Sequence, residues 1–544
     1  MCGIWCCLGE QYLDILNKCM ATLKARGPEG TRVAHFGGTG VLGFTRLAIN
    51  GLNESGMQPM YRGENLAWVC NGEIYNWKAL AKQYELSNVS GSDCEILGEL
   101  YERFCELSIP LEEFFRALDG VFAIIIFDLK RGRAVIGRDP YGVRPLYTAV
   151  SERGLLYGSE MKSLIAAGGK ISPFLPGHYM VVDFSGKYRG ESRQYHHIPF
   201  LKIPLLEDET EAKRAVAHAL TEAVKKRMMT DRSELAVTLS GGLDSSLIAA
   251  LVARELKAQG KATLKTFSIG MAGSTDLFYA RKVADWIQSD HTEIVLTPEE
   301  FFAAIPQVIY DIESFDTTTV RASVGNWLVA KAIRETSACK IVFNGDGSDE
   351  VWGSYLYFNS APSDHAYEGE VARLLGDIHM FDVLRSDRSI SSHGLEPRTP
   401  FLDKQFVAVA RSVSTELRRP VRGVRPEKWL LREAFKNSGL LPPDVLWRQK
   451  EAFSDGVSGT EKSWYQITQE MALKKVGDAW ETEAARRYPT DSPDTPEKFY
   501  YRQLYDEKYG AITAEVNVPY FWMPRWSPGV KDPSARTLAV YGAR

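Results

Sequence analysis

The 544-residue sequence predicts an α/β protein in two parts: a strand-rich N-terminal part, and a C-terminal part built on a doubly wound parallel sheet. The length exceeds what one hydrophobic core usually organises, so two or three domains are expected. Residues 1 to about 185 carry short apolar runs punctuated by Gly and Pro, among them Leu66 to Cys70, Val121 to Phe127 and Leu155 to Gly158. Such runs read as strands. From about residue 210 the pattern alternates: a strand Leu235 to Leu239, a helix Ser245 to Leu256, a strand Lys265 to Ile269, a helix Asp276 to Ile287 and a strand Glu293 to Leu296. Alternation of that kind argues a parallel sheet with helices on its faces. The polar, Pro-containing stretch of roughly 186–210 reads as the linker, and the domains are placed at 1–200 and 201–544. From Trp447 onward the sequence is polar and aromatic without a clean period and receives no assignment. It shows no internal repeat and no low-complexity tract.

Composition narrows the function classes. With 44% hydrophobic and 25% charged residues and a mean hydropathy of -0.22, the chain is an ordinary globular one. Lys and Arg number 65 against 69 Asp and Glu, which gives no electrostatic case for a nucleic-acid or membrane surface. Small-molecule substrates fit better. The cysteines (Cys2, Cys6, Cys7, Cys19, Cys70, Cys94, Cys105, Cys339) form no CxxC pair and no zinc-type spacing. Reduced thiols follow, and with no secretory n-region or membrane-length apolar run, a cytoplasmic enzyme is the expectation.

Chemistry begins at the second residue. Removal of Met1 would give Cys2 a free α-amino group beside its own thiol, and a group with pKa near ~7.7–8.0 can serve as its base at neutral pH. Alone, Cys2 would be no more than an early buried cysteine. Asn71-Gly72-Glu73-Ile74-Tyr75-Asn76 follows a strand, and an Asn side chain with a Gly backbone N–H are the donors an oxyanion hole needs. Arg46 offers a bidentate fork for a carboxylate, and Asp93 a counter-charge for an ammonium. Each singly is more often a turn or surface group; together they describe a grip on an amino acid.

The segments MCGIW, RGPEG at 26–30, NGEIYN at 71–76, SDCE at 92–95, LDGVFA at 118–123 and GRDPYGVRPLY at 137–147 together resemble the class II glutamine amidotransferases, the N-terminal-nucleophile glutaminases. The resemblance implies an αββα sandwich in which Cys2 attacks the glutamine side-chain amide. It implies an oxyanion hole at Asn71 and Gly72 and a glutamine grip at Arg46, Asn71, Gly72, Glu73 and Asp93. The sequence departs from the family pattern at Ala25, Glu29 and Thr45, where His, Asp and His are common. For the two lost His, at Ala25 and Thr45, altered packing or coupling is expected rather than lost hydrolysis.

In the second half the strand Leu235 to Leu239 runs into Ser240-Gly241-Gly242-Leu243-Asp244-Ser245-Ser246 and then a helix. Small residues, hydroxyls and a helix N-terminus make a cradle for phosphate or pyrophosphate. No Gly-Lys-Ser/Thr follows, which argues against γ-phosphoryl transfer. After a strand Lys340 to Phe343 comes a second loop, Asn344-Gly345-Asp346-Gly347-Ser348-Asp349-Glu350. Loops at the carboxyl ends of strands can face one crevice, and Asp244 and Asp349 supply the hard oxygens that Mg²⁺ prefers beside phosphates. Alone, the first loop would read as a Gly-rich strand-to-helix turn with no ligand and the second as a solvated turn.

SGGLDSS resembles the pyrophosphatase loop of adenylating enzymes. With KKRMMTDR at 225–232, TTVRAS at 318–323, FDVLRSDR at 381–388, HGLEPRTPFLD at 393–403, EKWLLRE at 427–433, KEAFSDG at 450–456 and DPSART at 532–537, the chain resembles the asparagine synthetases of the glutamine-hydrolysing kind. The resemblance implies an adenylating domain that makes β-aspartyl-AMP from aspartate and ATP with release of pyrophosphate. Ammonia from glutamine would reach the adenylate through a buried passage, whose lining the sequence does not show. It implies nucleotide contacts at Leu239, Ser240, Gly241, Gly242, Asp244, Ser245, Ile269, Asn344 and Gly345. Thr318, Arg321 and Lys428 are implied at the intermediate or pyrophosphate. Asp346 stands where the family commonly has Glu, near the adenylate, one methylene shorter, and shifted kinetics are expected. Mg²⁺ is the expected cofactor, a homodimer the candidate oligomer, and the aspartate-binding residues stay unassigned. A β-lactam-forming relative would dispense with the Cys2 nucleophile, and a non-enzymatic scaffold would have lost Cys2, Asn71, Asp244 or Asp349; all four are present.

Overall fold

In the computed structural model, the described residues are 1–9, 11–184, 190–199, 204–451, 456–459, 462–510, 520–530 and 532–534. They form two compact units. One comprises Met1–Ile198 with Met229–Arg232 and Ser391–Glu396; the other comprises Pro199–Met228, Ser233–Ile390 and Pro397–Arg544.

The first unit is built on two six-stranded sheets. One runs in the order Lys170–Pro173, Tyr147–Ser151, Gly154–Gly158, Gly3–Leu8, Gly40–Arg46, Gly30–Phe36. The other runs Gly190–Gln194, His178–Asp183, Arg133–Arg138, Gly120–Asp128, Leu66–Ile74, Met60–Arg62. Side chains alternate across a strand, and the second sheet uses both faces. Ala67, Val69, Ile125 and Phe127 pack with Ile4, Cys6, Leu42 and Phe44 of the first sheet. Trp68, Cys70, Ile124 and Ile126 turn to the other side and meet Leu100, Phe104, Phe114 and Phe115 of the helices Ile96–Glu106 and Leu111–Ala117. The helix Leu13–Thr22 covers the outer face of the first sheet, where a Cβ on Gly43 would stand 2.5 Å from Met20 Sδ. This is the helix–sheet–sheet–helix layering expected from the sequence. The continuous apolar run Val121 to Phe127 follows from burial on both faces. One expectation is corrected. The strand Gly190–Gln194 pairs with His178–Asp183 inside the stretch assigned to the linker, which also reaches past the start of the helix Glu209–Lys226. A polar, exposed edge strand carries no alternating apolar signal.

The second unit holds the parallel sheet. Its strands lie in the order Asp290–Val295, Lys265–Gly270, Leu235–Thr238, Ile341–Phe343, Glu396–Arg398, and the first four pair in parallel. In chain order those four read 3-2-1-4, so the winding reverses between Leu235–Thr238 and Ile341–Phe343. Ligands of doubly wound sheets bind outside the strand ends at that reversal. The unassigned region beyond Trp447 contains the helices Trp464–Val476, Trp480–Arg487 and Pro496–Tyr509. Among the described residues no helix is long and apolar enough to cross a membrane.

Candidate functional site

Each unit carries a cluster of chemistry-bearing residues. In the first, Gly3–Leu8 is a central strand, which fixes Cys2 at its entrance. The Cys2 sulfur lies 3.5 Å from the Leu47 amide nitrogen. Arg26, wholly buried, donates to the Cys2 carbonyl at 3.1 Å and pairs with Glu160 at 2.8 Å. Met1 precedes Cys2 here and is itself buried, its ammonium donating to the Leu395 carbonyl at 3.4 Å. With Met1 attached, the Cys2 nitrogen is an amide rather than a base. Burial pushes the Cys2 thiol up to about 11 and the Met1 amine down to about 5.

Asn71 and Gly72 lie on the strand Leu66–Ile74, opposite Ala123 and Phe122. A Cβ on Gly72 would stand 2.1 Å from the Val121 carbonyl oxygen, so only glycine allows this strand approach. Asn71 is fully buried, and both polar atoms of its side chain are without a hydrogen-bond partner. A buried amide left unsatisfied costs free energy, which a ligand can relieve. Glu73 and Asp93 come together through Asn50, whose amide donates to Glu73 at 2.6 Å and to Asp93 at 3.5 Å. Asp93 also accepts from the Ile74 amide at 2.6 Å. Arg46 is buried and donates to the Asn53 carbonyl at 2.7 Å and to the Gly51 carbonyl. Of the departures, Thr45 points its hydroxyl at the Leu23 carbonyl (3.1 Å), while Glu29 accepts from the Ala48 amide and pairs with Arg232.

In the second unit a cavity of about 230 Å³ opens at the strand reversal. The loop Ser240–Ser246 leaves the strand at Thr238 and enters the helix Leu243–Ala258, whose N-terminal N–H groups and dipole favour an anion. Gly241 has φ +70, and a Cβ there would sit 2.4 Å from the Ala280 nitrogen, so the turn demands glycine. Leu239, Ser240, Gly242, Asp244, Ser245 and Ile269 line the cavity, as do Asn344, Gly345, Asp346 and Asp349. Gly345 lets the two loops touch, because a Cβ on it would lie 2.8 Å from both Asp244 Cβ and the Ser245 nitrogen. Ser348 ties them further by donating to Asp244 at 2.7 Å.

Lys428 crosses between the acids, 2.6 Å from Asp244 and 2.7 Å from Asp349. It adopts φ +57, a left-handed conformation uncommon for a residue with a side chain, and is 2% exposed. Lys450 meets the other Asp349 oxygen at 2.5 Å. Burial opposes charge on Asp349, but the two lysines outweigh it and hold the carboxyl well below its ordinary range. Two carboxylates already converging on one cation fit the donor set that Mg²⁺ shares with phosphates. Thr318 and Arg321 also line the cavity, on the helix Thr317–Thr336 that Asp316 caps. The Thr318 hydroxyl is buried without a partner. The Arg321 guanidinium, by contrast, is clasped by Glu497 and by Asp532 at 2.7 Å, so its charge is already spent on two carboxylates.

Sequence reasoning missed Lys450, Glu350, Tyr355 and Arg385, all in the cavity wall. Lys450 opens a recognised segment, KEAFSDG, of which 452–455 lie outside the described residues, as do 535–537 of DPSART. Glu350 closes the acidic loop as an unremarked neighbour of Asp349. Burial and the Asp349 charge push it up to about 7.

Comparison with known proteins accords with this division. Residues 1–189 match the glutamine amidotransferase domain model, and 215–375 and 362–515 match the asparagine synthase model. The chain is 42% identical to the glutamine-hydrolysing asparagine synthetases of Rattus norvegicus and of Homo sapiens, and 40% identical to that of Gallus gallus. Each alignment covers 99% of this chain and 99% of the relative.

Proposed function

The chain belongs to the glutamine-hydrolysing asparagine synthetases, ATP-dependent ligases, and we propose that its two clusters divide the reaction between them. In the first unit, Cys2 with Met1 removed attacks the glutamine side-chain amide, its α-amino group taking the thiol proton. The Asn71 side chain and the Gly72 amide donate to the oxyanion of the tetrahedral intermediate. Arg46 takes the glutamine α-carboxylate, and Glu73 and Asp93 its α-ammonium. Collapse releases ammonia and leaves a glutamyl thioester that water hydrolyses to glutamate.

In the second unit the β-carboxylate of aspartate attacks the α-phosphorus of ATP, forming β-aspartyl-AMP and expelling pyrophosphate. The carboxylate is a poor electrophile, and adenylation gives its carbon a leaving group. The loop Ser240–Ser246 and the helix that follows hold the pyrophosphate, with Thr318 and Lys428 as further donors. Asp244 and Asp349 are the residues that would hold Mg²⁺, which when bound neutralises phosphate charge. Ammonia then attacks the acyl carbon beside Asp346, and AMP leaves. Leu239, Ile269 and Gly345 contact the nucleotide.

The observation that carries this reading is the meeting of two acid-bearing loops at the strand reversal, around Lys428 and without a Walker lysine. Thin-layer analysis of labelled ATP, with asparagine measured in parallel, tests it: AMP and pyrophosphate should appear in step with asparagine. ADP as the sole nucleotide product would end it.

A further inference from the structure

Glu350 stands next to Asp349 in sequence and in the same cavity, yet the two carboxylates are served differently. Asp349 has two lysines. Glu350, 1% exposed, accepts one hydrogen bond at Oε1 from the Tyr355 hydroxyl (2.5 Å), and its Oε2 is buried without a partner. The other acids of the wall are provided for: Asp244 by Lys428 and Ser348, Asp346 by Asn344, Asp382 by Arg385, Asp276 by Arg448, and Glu451 by Arg448 and Thr275. Among the described cavity carboxylates, Glu350 alone keeps a buried oxygen with no donor. An unmet acceptor of this kind costs stability and persists where a ligand brings the missing donor.

The reading above supplies such a ligand. An amino-acid acceptor carries an α-ammonium with three N–H donors and no accepting atom. Its β-carboxylate is consumed by adenylation, so the ammonium is free to anchor it. Resting on that reading, we propose that Glu350 recognises the α-ammonium of the acceptor through Oε2, with Tyr355 as the positioning residue. Tyr355 is itself fixed, stacked on Tyr357 with ring centroids 6.1 Å apart and set against Trp522 at 5.3 Å. The direction of the carboxylate is therefore set before any substrate arrives.

Aspartate-driven exchange of labelled pyrophosphate into ATP, compared with exchange driven by succinate, tests the assignment, because succinate is aspartate without its amine. In the wild-type full-length chain aspartate should support exchange and succinate should not, since a site built to bond an N–H rejects the analogue lacking it. Glu350→Gln should raise the KM for aspartate roughly 10²-fold and erode the preference over succinate to a similar extent. The KM for ATP and glutamine hydrolysis at Cys2 should be unchanged. Tyr355→Phe should raise the KM for aspartate roughly tenfold. Should Glu350→Gln fail to fold, Glu350→Asp retains the charge one methylene short and should show the same selective rise. A folded variant with wild-type KM for aspartate, or with selectivity over succinate intact, overturns the assignment of Glu350. Absence of aspartate-dependent exchange in the wild type would instead bring down the functional reading on which it rests.

Discussion

Asp346 accepts a hydrogen bond from the side-chain amide of Asn344 at 2.8 Å, two residues back in the same loop. Asn344 also donates to Ser386 at 2.6 Å, so the carboxylate is held from behind. Burial raises its pKa from the usual value. If Asp346 acts on the adenylate or the incoming ammonia, Asp346→Ala loses asparagine formation with either nitrogen source, by roughly 10²–10⁴-fold, while glutamine hydrolysis continues. Asp346→Glu retains much of the synthesis. Ammonia-dependent turnover beside a thermal melt decides the matter; a folded Ala variant at wild-type turnover removes Asp346 from the chemistry.

Cys2→Ala should abolish glutamine hydrolysis and glutamine-dependent synthesis and leave ammonia-dependent synthesis in place. The two clusters lie in different units, each with its own core. Glutamate release at the wild-type rate from the variant would show that another nucleophile acts.

A chain that keeps a residue in front of Cys2 should be inactive as a glutaminase. With the nitrogen blocked and the thiol pushed up to about 11, only about a thousandth of it is thiolate at pH 8. Alkylation of Cys2 by iodoacetamide, read by mass spectrometry, should climb about tenfold per pH unit up to that value. The processed chain should react near neutrality. Full glutaminase activity from an uncleaved extension would refute the α-amino base.

Asp403 is buried, pairs with Arg227 at 2.6 Å and Lys226 at 2.5 Å, and caps the helix Lys404–Ser412. Burial opposes its charge, but the two cations prevail and hold the carboxyl at about 2. The sign follows: a depressed pKa stabilises above the unfolded value of ~3.9 and is lost as pH falls toward 2. Asp403→Asn should cost about 3–5 kcal/mol at pH 7, because Arg227 is left buried without its counter-charge. Denaturant unfolding at pH 7, 4 and 3 should show the gap from wild type narrowing as pH falls. A gap that stays constant would mean the charge contributes nothing.

The sequence made the strands and both loops legible because their signals are local. Apolar runs mark Leu66–Ile74 and Gly120–Asp128, and glycines with hydroxyls mark the turn at Gly241 and Gly242. The edge strand Gly190–Gln194 was not legible, being polar and exposed. Nor was the role of Lys450, since a lysine reads as solvated until the fold sets it 2.5 Å from Asp349. Arg321 shows the reverse. Its residue type suits an anion, yet Glu497 and Asp532, 176 and 211 positions away, already claim it.

The stretches 229–232 and 391–396 belong to the first unit although they are encoded far downstream of it. Asp231 accepts the Gly51 amide at 2.7 Å, Arg232 reaches the Ala48 carbonyl, and Ser391 receives a hydrogen bond from Arg26. The polypeptide therefore re-enters the glutaminase twice after leaving it. A gene fragment stopped near codon 200 would encode every strand of that sandwich, yet it would lack Ser391, which Arg26 bonds besides Glu160, and Asp231, which receives the Gly51 amide; both arrive only with later translation.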